Sequence, residues 1–261
     1  MLLSNISEKN NYMLNTIYIL WLRQIKRYAR SKARILGSLG QPILFLVALG
    51  FGFGPMYQAS GQGDFIQFLA PGIIAMSIIF TAMYTGMEVI WDKQFGFLKE
   101  TLVAPASRFN IMLGRTFGGA TVAFLQGVFV LLISTFFGFS IESYIYLPLA
   151  FLFMFLIAIF FTAFGTAIAS VLEDMQGFHL IMSFIVMPTF FLSGALFPLD
   201  GINRTLYYII RVNPLTYGVD GLRQSLILEG SFNLGFDILI LSALALLAIF
   251  IGSRLFNRIQ I

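Results

Sequence analysis

Six stretches of this chain, at about residues 35–54, 66–90, 111–138, 145–171, 177–197 and 235–253, run almost without charge and are rich in Phe, Leu, Ile and Gly. A bilayer core takes about 20 apolar residues per helix. No water in that core satisfies a backbone amide, so each such run must close its hydrogen bonds within one helix. The expected fold is an all-α membrane protein, with six transmembrane helices in a single domain over residues 1–261. Only 11% of the residues are charged, whereas a soluble domain carries about 25%. Gln41 and Pro42 inside the first run predict a kink there. The length of the third run predicts a helix that is tilted or that begins in the headgroup region.

The basic residues are placed unevenly. Residues 12–34 predict an interfacial helix. Leu14, Tyr18, Trp21, Ile25 and Tyr28 share one face, and Arg23, Lys26, Arg27 and Arg30 crowd the other. A helix facing a protein core is the alternative. The first 30 residues lack the order of a signal peptide, because the apolar residues come before the basic ones. Thirteen of the 16 Lys and Arg residues fall before the first run, in the second connection or in the tail. Only Arg204, Arg211 and Arg223 fall on the other side. Basic residues concentrate in cytoplasmic loops, so both termini are expected in the cytoplasm of a multi-pass plasma-membrane protein.

Two connections are more than links. The segment Trp91–Phe109, "WDKQFGFLKETLVAPASRF", is charged and helix-prone. It predicts a short amphipathic helix over 93–103, with Phe95, Leu98, Leu102 and Val103 on one side and Asp92, Lys93, Lys99 and Glu100 flanking it. Pro105 is expected to stop that helix, and Ser107 to cap the next one. Residues 198–228, at the opposite end, predict two short outer helices. Asp200 is a candidate cap for the first, and Asn213-Pro214 breaks between them. They either dip into the outer leaflet or form a surface loop.

Several chemistries find no support. The sequence holds no Gly-Lys dipeptide, hence no nucleotide-binding P-loop. It has no cysteine and one histidine, His179, which reads as an interfacial residue rather than a metal ligand. No Ser has the His and Asp company of a nucleophilic triad. This chain is therefore not expected to be an enzyme, to bind a metal or cofactor, or to engage nucleic acid. Glu88 reads as an interfacial residue or as one half of a buried pair. The pairs Gly50–Gly54 and Gly114–Gly118 occur no more often than 24 glycines give by chance. An ion-coupled carrier and a non-transporting membrane scaffold remain alternatives to a subunit powered by another protein.

Three blocks resemble the permeases of type 2 ATP-binding-cassette (ABC) exporters. They are "FGFLKETLVAPASRFNIMLGRTFGG" (95–119), "MPTFFLSGALFPLD" (187–200) and "NPLTYGVDGLR" (213–223). The first is most similar to daunorubicin-resistance-like drug and lipid export permeases. The chain departs from many members in reading Gly201-Ile202-Asn203 where those have Leu-Pro.

The resemblance implies a partner for each end. Phe95, Leu98, Lys99, Glu100, Leu102 and Arg108 would form a coupling helix and its charged rim, seated on an ATPase. Glu173 and Asp174 would add a second contact. Ser193, Gly194, Phe197 and Pro198, with Asn213, Pro214, Tyr217 and Arg223, would build the outer gate. The expected partners are two ATPase subunits that hold ATP and Mg, a second permease copy, and membrane lipids. The expected cargo is an amphipathic drug, lipid or glycan-type molecule moved outward.

Overall fold

The structure is a computed structural model that describes residues 2–61, 63–103, 106–199 and 202–259, with side chains from Met13 onward. Among these residues the regular structure is all helical. The chain runs α1 (Leu2–Arg30), α2 (Lys32–Ala59), α3 (Phe65–Gln94), α4 (Phe97–Val103) and α5 (Arg108–Phe136). A 3₁₀ turn at Tyr144–Tyr146 leads into α6 (Leu147–Val171). Then come α7 (Met175–Ile181), α8 (Met187–Phe191), α9 (Arg204–Val212), α10 (Pro214–Ile227) and α11 (Leu234–Phe256).

Among the described residues, five segments are long and apolar enough to cross a membrane: α2, α3, α5, Tyr144–Val171 and α11. The stretch expected at 177–197 is different. α7 and α8 are joined by a π-helical segment, Met182–Val186, and helix ends at Phe191. The 17 residues from Met175 to Phe191 rise about 26 Å, short of a hydrocarbon core of about 30 Å. The stop has a local cause. Gly194 adopts φ +74, and the Ser193 hydroxyl donates to the Phe190 carbonyl at 2.7 Å.

α3 is the centre of the bundle. Nearly every residue from Phe65 to Ile79 is buried, with α2, α5, α6 and α10 packed around it. α3 and α6 meet backbone to backbone: a Cβ on Gly86 would overlap the Gly165 carbonyl carbon. Small residues permit this approach where lipid offers no hydrophobic drive between helices. α2 stays helical through Pro42 to Ala59, beyond the expected end at residue 54.

The N-terminal helix differs from its sequence reading. It ends at Arg30, and Lys32 and Arg34 belong to α2. It docks on α5 rather than presenting the expected stripe to lipid. A Cβ on Gly114 would lie 2.9 Å from the Leu20 Cβ, and one on Gly118 2.8 Å from the Gln24 Cβ. The Gly114–Gly118 pair is thus the seat of α1. Trp21 Nε1 donates to Thr121 at 3.0 Å, and the Tyr28 hydroxyl donates to Gln126 at 2.8 Å. Leu14 and Tyr18 remain exposed.

At the far end, Asp200 and Gly201 lie outside the described residues, and α9 is capped by Asn203, whose side chain accepts from the Thr205 amide at 3.1 Å. α10 is no surface element: 12 of its 14 residues, from Leu215 to Ile227, are buried. Gly118→Leu should lift α1 from its seat, costing about 1–3 kcal/mol by overpacking. Faster proteolysis within residues 13–30 and a lower melting midpoint in detergent would show it.

Candidate functional site

The corner between α3 and α4 is built by one turn. The Phe95 amide donates to the Trp91 carbonyl, and Gly96 takes φ +78, a value that favours glycine. α4 then starts at Phe97, so Lys93 is in the last turn of α3 and not part of the short helix. The Lys93 ammonium donates to the carbonyls of Ala169, Ser170 and Leu172 at 2.7–3.1 Å. It thereby answers the open carbonyls at the end of α6.

The two faces of α4 are not the expected ones. Leu98 is 2% exposed and Leu102 packs partly buried against the bundle core. Seven residues of helix cannot stand alone in water, and this burial anchors them. The outward surface is Phe95, Phe97 and Val103, all more than half exposed, with Lys99 and Glu100 beside them. Pro105 lies outside the described residues. Ser107 caps α5 by accepting from the Asn110 amide at 3.2 Å. Arg108 is no free rim charge, since it donates to the carbonyls of Asn257 and Ile259 at 2.7 and 3.0 Å. Asp174 caps α7 and Glu173 is exposed. The Glu173 carbonyl accepts from Gln94, which brings the 172–174 loop beside the same corner.

Behind the corner lies an ionic cluster. Glu88 and Asp92 are 5% and 4% exposed. Asp92 accepts from the fully buried Arg115, with Arg23 and Arg27 at 3.6 and 3.9 Å. Glu88 accepts from Arg34 at 2.6 Å and Arg27 at 3.3 Å. Four helices, α1, α2, α3 and α5, are joined by these contacts. From sequence alone, Arg23 and Arg27 read only as the basic face of an interfacial helix. The signal that pairs them is the four-residue spacing of Glu88 and Asp92 on α3 and of Arg23 and Arg27 on α1, one helical face each.

At the opposite end, the blocks 193–198 and 213–223 are brought together. The Asn213 amide donates to the carbonyls of Thr189 and Leu192 at 2.6 and 2.9 Å, while its oxygen caps α10 through the Leu215 amide. Pro214 holds the first helical position, where no amide donor is needed. The Tyr217 hydroxyl donates to the Arg211 carbonyl at 2.5 Å. Arg223 donates to the Gly194 carbonyl at 3.1 Å, and its guanidinium sits 4.0 Å from the Phe68 ring centre. Burial pushes Arg223 down to about 10, which leaves it charged at neutral pH. Phe197 and Pro198 are half-buried beside this turn. A further cluster has no counterpart in the sequence reading: Asp220 accepts from the Ser231 and Phe232 amides, and Gln224 bridges Asp220 to the fully buried Asp237. It pins the start of α11 to α10.

This is an apolar bundle with a rigid, charged corner at one end and a hydrogen-bonded turn at the other, the layout of a membrane transport subunit. Residues 15–227 match the family model "ABC-2 type transporter", and the chain belongs to that family. It is 29% identical to ycf38 of Cyanophora paradoxa, named as a candidate transport permease, over 95% of this chain and 90% of that protein. It is 23% identical to nodulation protein J of Rhizobium leguminosarum bv. viciae, over 91% of this chain and 92% of that protein. With the inner membrane transport permease YadH of Escherichia coli it shares 26% identity, over 78% of this chain and 80% of YadH.

The cluster makes a stability prediction. Asp92→Asn strands the Arg115 charge and should cost about 3–5 kcal/mol. The double change Asp92→Leu with Arg115→Met should recover most of the lost melting midpoint, because an apolar pair replaces a buried ionic one at little net cost.

Proposed function

We propose that the chain is the membrane permease of an ATP-driven exporter, and that energy enters through the α3–α4 corner. The observation that carries this reading is the build of α4. It is anchored inward by Leu98 and presents Phe95, Phe97, Lys99, Glu100 and Val103 outward, at the end of the central helix. An aromatic pair with a charged rim on a fixed support is the composition that partner proteins bury.

In this reading two ATPase subunits, which hold ATP and Mg, dock below a pair of permease copies. Glu173 and Asp174 provide the second contact, being beside the corner. ATP-driven closure of the ATPases moves α4 and, through the one-turn link at Gly96, tilts α3. Both termini lie in the cytoplasm of a plasma-membrane protein, and the stretch Met175–Phe191 completes a sixth, locally thinned crossing. The Ser193–Pro198 turn, α9 and the head of α10 form the outer gate, with Asn213 and Arg223 as its latches. The cargo is an amphipathic drug, lipid or glycan-type molecule passing outward between the two copies.

Phe97→Asp and Glu100→Lys test the coupling surface, since both side chains point away from the bundle. Each should leave expression and melting unchanged while lowering transport-coupled ATP hydrolysis about tenfold or more, the effect of losing an interface anchor worth at least ~1.4 kcal/mol. Undiminished copurification of the ATPase together with undiminished coupled hydrolysis in both variants would sink the assignment.

A further inference from the structure

Between α2 and α3, beside the ionic cluster, lies a cavity of about 680 Å³, within the range of sites that hold a small ligand. Its two ends differ in chemistry. At one end the rim is Arg27, Arg34, Glu88 and Trp91. Toward the other end the wall is Met76, Phe80, Pro42 and Val122, with Met87 beside the rim next to Glu88. Gln41, Thr81 and Tyr84 also line it, and the three lining hydroxyls of Ser77, Thr85 and Ser38 are already engaged. Ser77 and Thr85 donate to the carbonyls of Ile74 and Ala82 on their own helix, and Ser38 donates to Ile35 and Gln126. From Met76 to Trp91 the cavity follows about 22 Å of helix, the scale of an extended acyl chain.

The rim carries unspent positive charge. Four arginines, Arg23, Arg27, Arg34 and Arg115, share the two carboxylates of Glu88 and Asp92. Arg115 is buried and committed to Asp92, whereas the Arg27 and Arg34 side chains are 37% and 45% exposed. Arg30 and Lys32, both exposed, stand next to them in the chain. Glu88 is already held by two guanidinium groups, so a cationic ligand has no free carboxylate to meet. An anion with two or more oxygens meets the forks of Arg27 and Arg34.

We infer that this cavity binds one phosphate-bearing lipid from the leaflet on the basic side of the bundle. Its headgroup sits at Arg27 and Arg34, and one acyl chain lies along Met76, Phe80 and Met87. The site needs no nucleotide, and although Trp91 at its rim stacks on Phe95 at 5.4 Å, its arginines and apolar wall include none of the α4 residues, so it holds whether or not that surface drives transport. Trp91, 42% exposed at the rim, is placed as interfacial tryptophans are, at headgroup depth.

Native mass spectrometry of the purified complex in detergent tests the assignment. The probes are dioleoylphosphatidylglycerol, dioleoylphosphatidylcholine and soluble sn-glycerol 3-phosphate. One phosphatidylglycerol should be retained per chain at about tenfold lower concentration than phosphatidylcholine, the factor that one net charge-assisted contact supplies. Glycerol 3-phosphate should not be retained. Arg34→Gln should erase the preference between the two lipids. Thr81→Trp fills the cavity beside Phe80 without touching an arginine, and should abolish retention while elution stays monodisperse and partners still copurify. Equal retention of both lipids by the unmodified chain, or full retention by Thr81→Trp, overturns the inference. Retention of glycerol 3-phosphate as strong as that of the lipid marks a soluble-phosphate site and also overturns it.

Discussion

A charge at the end of a membrane helix has to be answered within the protein, and at the basic end of this bundle Asp92 and Arg115 answer each other. Both are almost wholly buried. The cost of removing such groups from water is recovered only with close geometry and further partners; Arg23 and Arg27 supply these to Asp92, and Arg27 and Arg34 hold Glu88 one turn away. The consequence is mechanical. α1 is held on three levels, by Trp21, by Tyr28 and by its arginines. The end of α3 cannot shift without dragging α1, α2 and α5 with it. A push on the α3–α4 corner is therefore delivered to much of the bundle rather than lost in one helix end.

The opposite end is held by different means. There the chain turns at Gly194 inside the protein, and its freed carbonyls need donors. Asn213 and Arg223 reach them across the space between the turn and α10. These bonds are few and each is made by one side chain. The neutral bonds of Asn213 break and reform at lower cost than the buried ionic pair at the other end, whereas the charged Arg223 holds the turn more firmly.

Much of this is legible in the chain itself. The existence of α2, α3, α5, α6 and α11 as long apolar helices follows from the apolar runs, although α2 continues past the expected end at residue 54, and the cap at Ser107 and the break at Asn213-Pro214 follow from local chemistry. What escapes is whatever depends on which surfaces meet. Periodicity puts Leu98 and Leu102 on one face of α4 correctly, but does not say that this face turns inward. The same limit applies to α1. Its stripe is visible in the spacing, but its partner lies far along the chain. Gly114 and Gly118 become meaningful only once Leu20 and Gln24 are seen against them. The helix over 177–197 stops early because Ser193 and Gly194 build a turn that composition alone reads as more apolar span.

We propose that a partner ATPase docks on the outer face of α4. The chain has no cysteine, so single cysteines report cleanly. A cysteine at Val103, 84% exposed on α4, and one at Tyr144, 73% exposed at the other end of the bundle, can each be treated with a short thiol-to-amine cross-linker in the assembled complex. A cross-linked permease–ATPase band from Val103→Cys and none from Tyr144→Cys is the predicted result. A band from Tyr144→Cys, or an intact complex with no band from Val103→Cys, would contradict the account.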